Sequence, residues 1–381
     1  MSIKCRLCGS PISSSPLLEL NNMPKSAQSF VKEDELDSEK GVDIILYQCE
    51  NCGLVQATGE PVPYYKDVIR ATSVSGEMRS FRLEQFGSFI ENFDLHGKRI
   101  LEVGAGTGDY LSIMSEINPE TYGLEHNEES VQVAEIKGLK MIQGFIENEN
   151  YRVSGDLFDG FFIMNYLEHI PEPVQFLKGI SNNLSENGVG IIEVPNFDMM
   201  IRENLFTEFI QDHLSYFTKD SLQELIEISG FELLEINNIW HDYIISAVVR
   251  KRSRIDVAKM KMQREKNYEE IQSFISQCKN RNQRIAVWGA GHQALATISL
   301  LEIYKHIEVV FDSAEFKQNL YTPCTHIKVV SPKLMKKYSI DVVIIIAGSY
   351  SEEIGRIMDR EYPNVEWVIL GSEGLRGKCC E

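Results

Sequence analysis

The sequence predicts an α/β protein in which a small cysteine-rich lobe precedes two strand–turn–helix units. Two Cys-x-x-Cys pairs lie in the first part of the chain. A short apolar run, 99–103, leads directly into the glycine turn 104–108, and a second run, 284–288, leads into the turn 289–291. Because further apolar strands alternate with helical stretches after each turn, we expect mostly parallel sheets covered by helices.

Length and charge narrow the class of protein. The chain has 381 residues, too many for one hydrophobic core, so we expect three domains at 1–75, 76–250 and 251–381. The net charge of −18 argues against a nonspecific nucleic-acid surface. No apolar run reaches the roughly 18 residues that a membrane span needs. We therefore expect a globular monomer or small homo-oligomer that binds neither nucleic acid nor membrane.

The two cysteine pairs predict a structural zinc site in the first domain. Each pair has two intervening residues and is followed by glycine, and two such knuckles can place four thiolates around one Zn²⁺. The chain has 8 cysteines and no apparent export signal, which favours reduced thiols and a cytoplasmic location. The predicted ligands are Cys5, Cys8, Cys49 and Cys52.

Apolar patterning predicts the main elements. A helical pattern covers 77–93, and a long charged helix with one buried stripe covers about 251–283. The predicted strands are 44–48, 99–103, 121–125, 160–164, 188–194, 284–288, 307–311, 342–346 and 367–370.

The first glycine turn predicts a nucleoside-containing cofactor. Gly104, Gly106 and Gly108 allow a tight turn and close approach of a ligand to the backbone. Glu125 ends the next predicted strand, about 20 residues later, where a carboxylate can accept hydrogen bonds from both ribose hydroxyls. This arrangement fits either NAD or S-adenosylmethionine.

Three further positions favour S-adenosylmethionine. Glu102 lies two residues before the first glycine, Phe145 stands where adenine would pack, and Asn165 follows the third strand, where the methionine end would lie. Over about 98–195 the sequence strongly resembles class I methyltransferases, which have a Rossmann-like core. The resemblance implies that these residues, with the glycines and Glu125, bind the cofactor.

The second glycine turn leaves three interpretations open. Ala294 stands where a dinucleotide fingerprint has its third glycine, and Asp312 ends the next strand. The unit could bind NAD, it could bind a nucleotide-sugar or close a cleft, or the turn could be purely structural. His292 opens the following helix and is a candidate phosphate contact.

Two histidines are candidates for acid–base chemistry. Methylation at carbon requires a base, and His213 suits that role, with Asp212 to orient it or to contact the substrate. His169 lies in the segment after the third strand and could also act near the transferred methyl group. The structural alternative for each is a packed or capping residue.

The whole layout resembles the three-domain sugar C-methyltransferases of nucleotide-deoxysugar pathways. In that family a zinc lobe precedes a class I methyltransferase core and a C-terminal Rossmann-like domain. The resemblance implies that His213, beside Asp212, removes a proton next to the 4-keto group of a dTDP-linked sugar, and that the enolate attacks the cofactor methyl. Matching segments are Asn22-Met23-Pro24, Phe30, Thr72-Ser73-Val74-Ser75, 165–169, 212–217, 289–291, 321–327 and Val330-Ser331-Pro332.

Three positions depart from the family pattern. Asp212 replaces a glutamate, and Ile210 and Arg70 stand where tyrosines are usual. Losing two phenols removes possible donors to an enolate, whereas Arg70 could bind a carboxylate or phosphate. We expect Arg70, Tyr216 and His292 to contact the substrate. O- or N-methylation of a related sugar nucleotide is the alternative, and a non-enzymatic zinc-dependent binding protein is a third hypothesis.

Overall fold

A computed structural model describes residues 3–13, 15–26, 30–67, 74–372 and 374–377. The chain forms two compact units, 1–253 and 254–381. The first unit contains both the cysteine-rich lobe and the first glycine turn, and the second contains the later glycine turn. Among the described residues, no helix combines the length and apolarity that crossing a bilayer requires.

The lobe consists of short antiparallel strands. Two strands of two residues each form a hairpin around the first cysteine pair, with Ile3 opposite Ile12. The strands of the lobe are β1 Ile3–Lys4, β2 Pro11–Ile12, β3 Leu18–Met23, β4 Val42–Gln48 and β5 Val55–Ala57.

The rest of the first unit alternates helices and strands. The helix α1 begins after Ser75, whose side chain accepts a hydrogen bond from the Met78 N–H, as an N-cap does. The elements are α1 Gly76–Asn92, β6 Ile100–Val103, α2 Asp109–Ile117, β7 Thr121–Glu125, α3 Glu128–Ile136, β8 Lys140–Gln143, β9 Phe158–Met164, α4 Pro173–Asn182, β10 Leu184–Pro195, α5 Phe197–Arg202, β11 Ser215–Tyr216, α6 Lys219–Ile228, β12 Phe231–Ile239 and β13 Ile244–Lys251.

Seven of these strands form the central sheet in the order β12–β13–β10–β9–β6–β7–β8. The strands β6 to β10 run parallel, while β13 is antiparallel to both β10 and β12. The chain moves outward from β6 to β8 and then returns to β9, so the strand order reverses between β6 and β9. Ligands of open α/β sheets bind at such a point, beyond the carboxyl ends of the strands. This sheet confirms the predicted class I methyltransferase core.

The lobe and the core share a sheet. The strand β11 pairs with β5, which gives the four-stranded order β11–β5–β4–β3. The shared pairing joins Ser215 to Gln56 and Tyr216 to Val55. The segment just before β11 is therefore anchored to the lobe, and the lobe does not form a compact unit of its own. The division into three domains remains a prediction.

A buried ion pair fixes α1 against the central sheet. Arg82 and Glu193 are both fully buried, and their side chains form two contacts, of 2.6 Å and 2.7 Å. Gln85 donates a further hydrogen bond of 2.6 Å to the same carboxylate. Because Glu193 lies near the end of β10, this network positions the sheet edge from which the candidate site is built.

The second unit contains another mostly parallel sheet. Its order is β16–β15–β14–β17–β18–β19, and only β19 runs antiparallel to its neighbour among the described strands. This confirms the predicted second Rossmann-like domain. The elements are α7 Ala258–Asn280, β14 Ile285–Trp288, α8 His292–Leu300, β15 Val310–Phe311, β16 Val329–Val330, α9 Met335–Tyr338, β17 Val342–Ile345, α10 Ser351–Glu361, β18 Glu366–Gly371 and β19 Gly374–Arg376.

The helix α7 is shorter than the predicted charged helix, and its apolar stripe is only partly buried. Ile271 and Ile275 are buried, but Met260 and Met262 are 73% and 67% exposed. The first residue of the predicted range, Lys251, is the last residue of β13, and α7 begins at Ala258. The C-terminal half of α7 therefore supplies its packing against the sheet.

Candidate active site

The four predicted metal ligands converge. The Sγ atoms of Cys5 and Cys52 are 3.4 Å apart, and those of Cys8 and Cys49 are 3.6 Å apart. All four sulfurs lie within 4.8 Å of one another. A tetrahedral zinc site with Zn–S bonds of about 2.3 Å places its sulfurs about 3.8 Å apart. The cluster therefore fits one structural Zn²⁺.

The two cysteine pairs have the same local geometry. In each, the N–H of the following glycine bonds the carbonyl of the first cysteine, at 3.0 Å for Gly9 and 2.9 Å for Gly53. Both glycines have positive φ, +72° and +76°, a conformation that other residues adopt at a cost. This explains why a glycine follows each Cys-x-x-Cys pair.

The first glycine turn connects β6 to α2 at the point where the strand order reverses. Gly104, Gly106 and Gly108 have φ values of +79°, +55° and +82°. A Cβ at Gly104 would lie 2.6 Å from the Tyr166 ring, so packing as well as backbone conformation requires glycine there. Glu102 lies two residues earlier on β6 and is fully buried.

Glu125 ends β7 directly beside this turn. One carboxylate oxygen accepts the Gly106 N–H at 2.8 Å, and the other accepts the Asn127 N–H at 2.9 Å. Burial, with a contribution from nearby Asp67, raises the pKa of Glu125. The predicted ribose acceptor and the glycine turn thus form one hydrogen-bonded unit.

Phe145 lies next to this unit, within a group of aromatic rings. The backbone N–H of the preceding residue bonds the Glu125 carbonyl at 2.9 Å. The Phe145 ring contacts His126, Tyr65 and Phe176, with centroid separations of 6.2, 5.9 and 5.9 Å. An apolar slot beside a ribose acceptor fits an adenine ring.

The segment 64–67, which follows the lobe, crosses the same region. The Lys66 ammonium lies 4.9 Å from the Phe145 ring centroid, and the Lys66 carbonyl accepts the Tyr166 hydroxyl at 2.7 Å. The Asp67 carboxylate lies 3.5 Å from the Asn127 amide. The sequence analysis did not assign these residues to the site. Their one sequence signal is the cluster of two tyrosines, a lysine and an aspartate.

Asn165 begins the loop after β9. Its φ is +49°, and its N–H bonds the Glu193 carbonyl at 3.0 Å. Its side-chain oxygen is buried and has no hydrogen-bond partner among the described residues. A buried acceptor without a partner is costly, so this oxygen can receive a donor from a ligand.

Two histidines meet beyond the ends of β9 and β10. The short helix Leu167–His169 carries one, the loop before β11 carries His213, and their ring centroids are 4.8 Å apart. His169 Nδ1 lies 2.9 Å from the Asp212 carbonyl oxygen, which can only accept, so Nδ1 carries the proton. The Leu214 N–H bonds the Glu168 carbonyl at 2.9 Å and joins the two loops.

The surroundings favour the neutral form of both imidazoles. Burial lowers the pKa of His169, and burial together with the neighbouring His169 lowers that of His213 well below its ordinary value. Both side chains are nevertheless only partly covered. Partly exposed imidazoles that favour the neutral form are suited to accept a proton.

Glu168 is a further candidate for proton transfer, to which the sequence analysis assigned no role. It is 2% exposed, and one of its carboxylate oxygens lies 3.9 Å from His169 Nε2. Burial raises the pKa of Glu168 to about 8. Its only sequence signal is its position immediately before His169.

Asp212 is buried beside Tyr64, in the segment that follows the lobe. Burial and the adjacent Asp212 carboxylate raise the pKa of Tyr64, although its 2.5 Å hydrogen bond with Ser26 acts the other way. A phenol thus lies beside Asp212 even though position 210 is isoleucine. The sequence analysis did not assign Tyr64 to the site.

The three predicted substrate contacts have different outcomes. Tyr216 is 3% exposed, and its hydroxyl bonds the backbone N–H and carbonyl of Ile210, so it holds the loop that carries Asp212. His292 belongs to the second unit and is exposed at the start of α8. Arg70 lies outside the described residues.

The second glycine turn repeats the arrangement of the first. The Asp312 carboxylate accepts the N–H groups of Ala290 and Ala314, each at 2.8 Å, and lies 3.1 Å from the Lys317 ammonium. A cavity of about 830 Å³ opens here, and His292 is part of its lining. The size suits a small ligand, and the three interpretations of this turn remain open.

Three protein-family models match successive parts of the chain. They are a "Methyltransferase domain" over 75–236, a "C-methyltransferase C-terminal domain" over 256–368 and a "Putative zinc binding domain" over 5–63. Together with the fold and the cofactor turn, they identify the class: the protein is an S-adenosylmethionine-dependent methyltransferase with a zinc-binding lobe.

Individual relatives are distant. The C-methyltransferase NovU of Streptomyces niveus is 22% identical, with 92% of this chain and 91% of the relative covered. The ubiquinone biosynthesis O-methyltransferase of Aeromonas salmonicida is 24% identical, with 38% and 67% covered. Among solved structures, the plantazolicin methyltransferase BpumL is 18% identical with a TM-score of 0.39, covering 47% of this chain and 86% of that one.

Proposed function

We propose that the protein methylates a carbon atom of a nucleotide-linked keto sugar through an enolate. The observation that carries the proposal is the pair of adjacent imidazoles, with Asp212, beyond the strand ends at the reversal point of the sheet. The similarity to NovU, named a C-methyltransferase, extends over nearly the whole chain and supports carbon as the acceptor. The sugar nucleotide follows from the resemblance of the sequence motifs.

The residues around the first glycine turn fit the cofactor. The turn from Gly104 to Gly108 would let the cofactor approach the backbone closely. Glu125 would accept hydrogen bonds from the ribose hydroxyls, and Phe145 would pack on adenine. Asn165, with its unpartnered oxygen, would receive a donor from the methionine end. When bound, the cofactor supplies an activated methyl group, and this chain's residues supply orientation and proton transfer.

His213 is the proposed base. Burial lowers its pKa and so favours the neutral imidazole, which can accept the proton next to the keto group. The Asp212 carbonyl beside it accepts the His169 Nδ1–H. Tyr64 brings a phenol to this loop, in which position 210 lacks the tyrosine of the family pattern. The oxyanion that forms needs such a donor.

Replacing the base tests this assignment. We expect His213→Ala to retain S-adenosylhomocysteine binding in calorimetry but to lose turnover, because only the proton acceptor is removed. His96→Ala, an exposed histidine of the same unit, is the matched control. A normal kcat for His213→Ala would refute the base assignment.

The substrate class needs a separate experiment. Calorimetry with dTDP-, UDP-, GDP- and CDP-linked sugars, in the presence of S-adenosylhomocysteine, should reveal binding of at least one nucleotide sugar. Binding of none would exclude the sugar-nucleotide proposal. O-methylation is the second candidate, since the core also matches an O-methyltransferase, and an oxygen acceptor requires a weaker base.

A further inference from the structure

Three metal-ligating side chains converge in the candidate active site, separately from the cysteine cluster. Glu168, His169 and His213 each offer a ligand atom, and these atoms lie within 4.8 Å of one another. A cation bound at about 2.0–2.2 Å from each would hold them about 3.4 Å apart. Small rotations of the side chains would close this difference.

The hydrogen bonding of His169 leaves its second ring nitrogen facing the buried Glu168 carboxyl group. Because Nδ1 donates to the Asp212 carbonyl, Nε2 carries a lone pair, and it faces a Glu168 carboxylate oxygen at 3.9 Å. The other Glu168 oxygen is buried and has no hydrogen-bond partner among the described residues. Histidine ligands of metals commonly donate their second nitrogen to a backbone carbonyl in this way.

We propose that Glu168, His169 and His213 form a second metal site, which takes one divalent transition-metal cation. Two imidazoles and one carboxylate suit Mn²⁺, Fe²⁺, Co²⁺ or Zn²⁺ and leave coordination positions open. A cation would satisfy both the Nε2 lone pair and the buried carboxylate. Because both imidazoles are partly exposed, a small ligand could reach the open positions.

The consequence for catalysis rests on the proposed function. A cation on His213 occupies a lone pair and leaves the ring without a free basic nitrogen. Occupancy of the site and proton abstraction by His213 therefore exclude each other. If His213 is the base, the cation inhibits methyl transfer.

Cobalt titration tests the site directly. Adding Co²⁺ to the full-length protein with zinc in its lobe should give d–d absorption for one ion without the charge-transfer band of cobalt–thiolate bonds. Glu168→Gln should weaken this binding at least about tenfold, because one ligand loses its charge. Glu172→Gln, an exposed glutamate nearby, is the matched control, and retained S-adenosylhomocysteine binding shows that each variant is folded.

The outcomes separate the two proposals. Cobalt binding that depends on Glu168 and inhibits turnover over the same concentration range supports both. The same binding with increased turnover supports the metal site but refutes His213 as the base. No thiolate-free cobalt signal, or one that Glu168→Gln leaves unchanged, refutes the metal site without affecting the proposed methyl transfer.

Discussion

Replacing Glu125 with glutamine should weaken cofactor binding sharply. The carboxylate is 1% exposed, and both oxygens already accept backbone N–H groups, from Gly106 and Asn127. The glutamine side chain has nearly the same shape but no charge, and it replaces one oxygen with an NH₂ group. That group faces a backbone donor, so the variant loses an acceptor where the turn requires one.

The expected loss of cofactor affinity follows from the hydrogen bonds that the Glu125 carboxylate accepts. Hydrogen bonds to a charged group contribute about 1.5–3 kcal/mol, compared with about 1 kcal/mol for neutral ones. If both ribose hydroxyls bond Glu125, removing the charge costs about 2 kcal/mol, or about 30-fold in Kd. The unsatisfied backbone donor destabilises the fold by a further ~1–3 kcal/mol.

Calorimetry with S-adenosylhomocysteine measures the loss. Glu120→Gln is the control, since Glu120 precedes the same strand but forms an exposed pair with Lys140. Because burial raises the pKa of Glu125, the wild-type carboxylate is neutralised at higher pH than an exposed glutamate, and binding should weaken as the pH falls. Unchanged affinity of Glu125→Gln would refute the ribose assignment.

Three further predictions concern the lobe and the core. Cys5→Ser should lose zinc in metal analysis and loosen substrate binding while largely sparing S-adenosylhomocysteine binding; loss of the latter would show that the lobe is part of the cofactor site. Arg82→Met should lower the free energy of unfolding, measured with denaturant, by about 3–5 kcal/mol, because it leaves the buried Glu193 charge unpaired. Adding Glu193→Met to the same chain should recover most of this loss, and a double variant as unstable as Arg82→Met would contradict the argument. Gly190→Ala should cost about 1–3 kcal/mol, since its Cβ would overlap an aromatic ring of β9, whereas Gly87→Ala on α1 should not destabilise; equal effects would contradict the packing argument.

Local patterns predicted four of the seven strands of the central sheet, whereas β8, β12 and β13 were not predicted. The strand 121–125 is observed at its predicted bounds, and the helix predicted at 77–93 is observed at Gly76–Asn92. Both elements are defined by the pattern of apolar residues within a short stretch of sequence. The pairing of β11 with β5 was not predictable in this way, because it joins residues about 160 positions apart.

The candidate site shows the same division. The glycine turn and Glu125 come together as the motif predicted, since consecutive parallel strands place their carboxyl ends side by side. The roles of Glu168 and of the segment 64–67 depend on contacts between distant loops, which sequence spacing does not encode. Tyr216 differs for a related reason: only the fold reveals that its hydroxyl bonds Ile210.

The central claim is that the methyl group is transferred to a carbon atom, and one measurement decides it. The full-length enzyme, incubated with ¹³C-methyl-labelled S-adenosylmethionine and the sugar nucleotide that binds, yields a product whose labelled methyl group reports its linkage by NMR. We predict a methyl group bonded to carbon. If that sugar carbon carries a single proton in the substrate, the product should carry none there. A methyl signal bonded to oxygen or nitrogen would contradict the enolate mechanism.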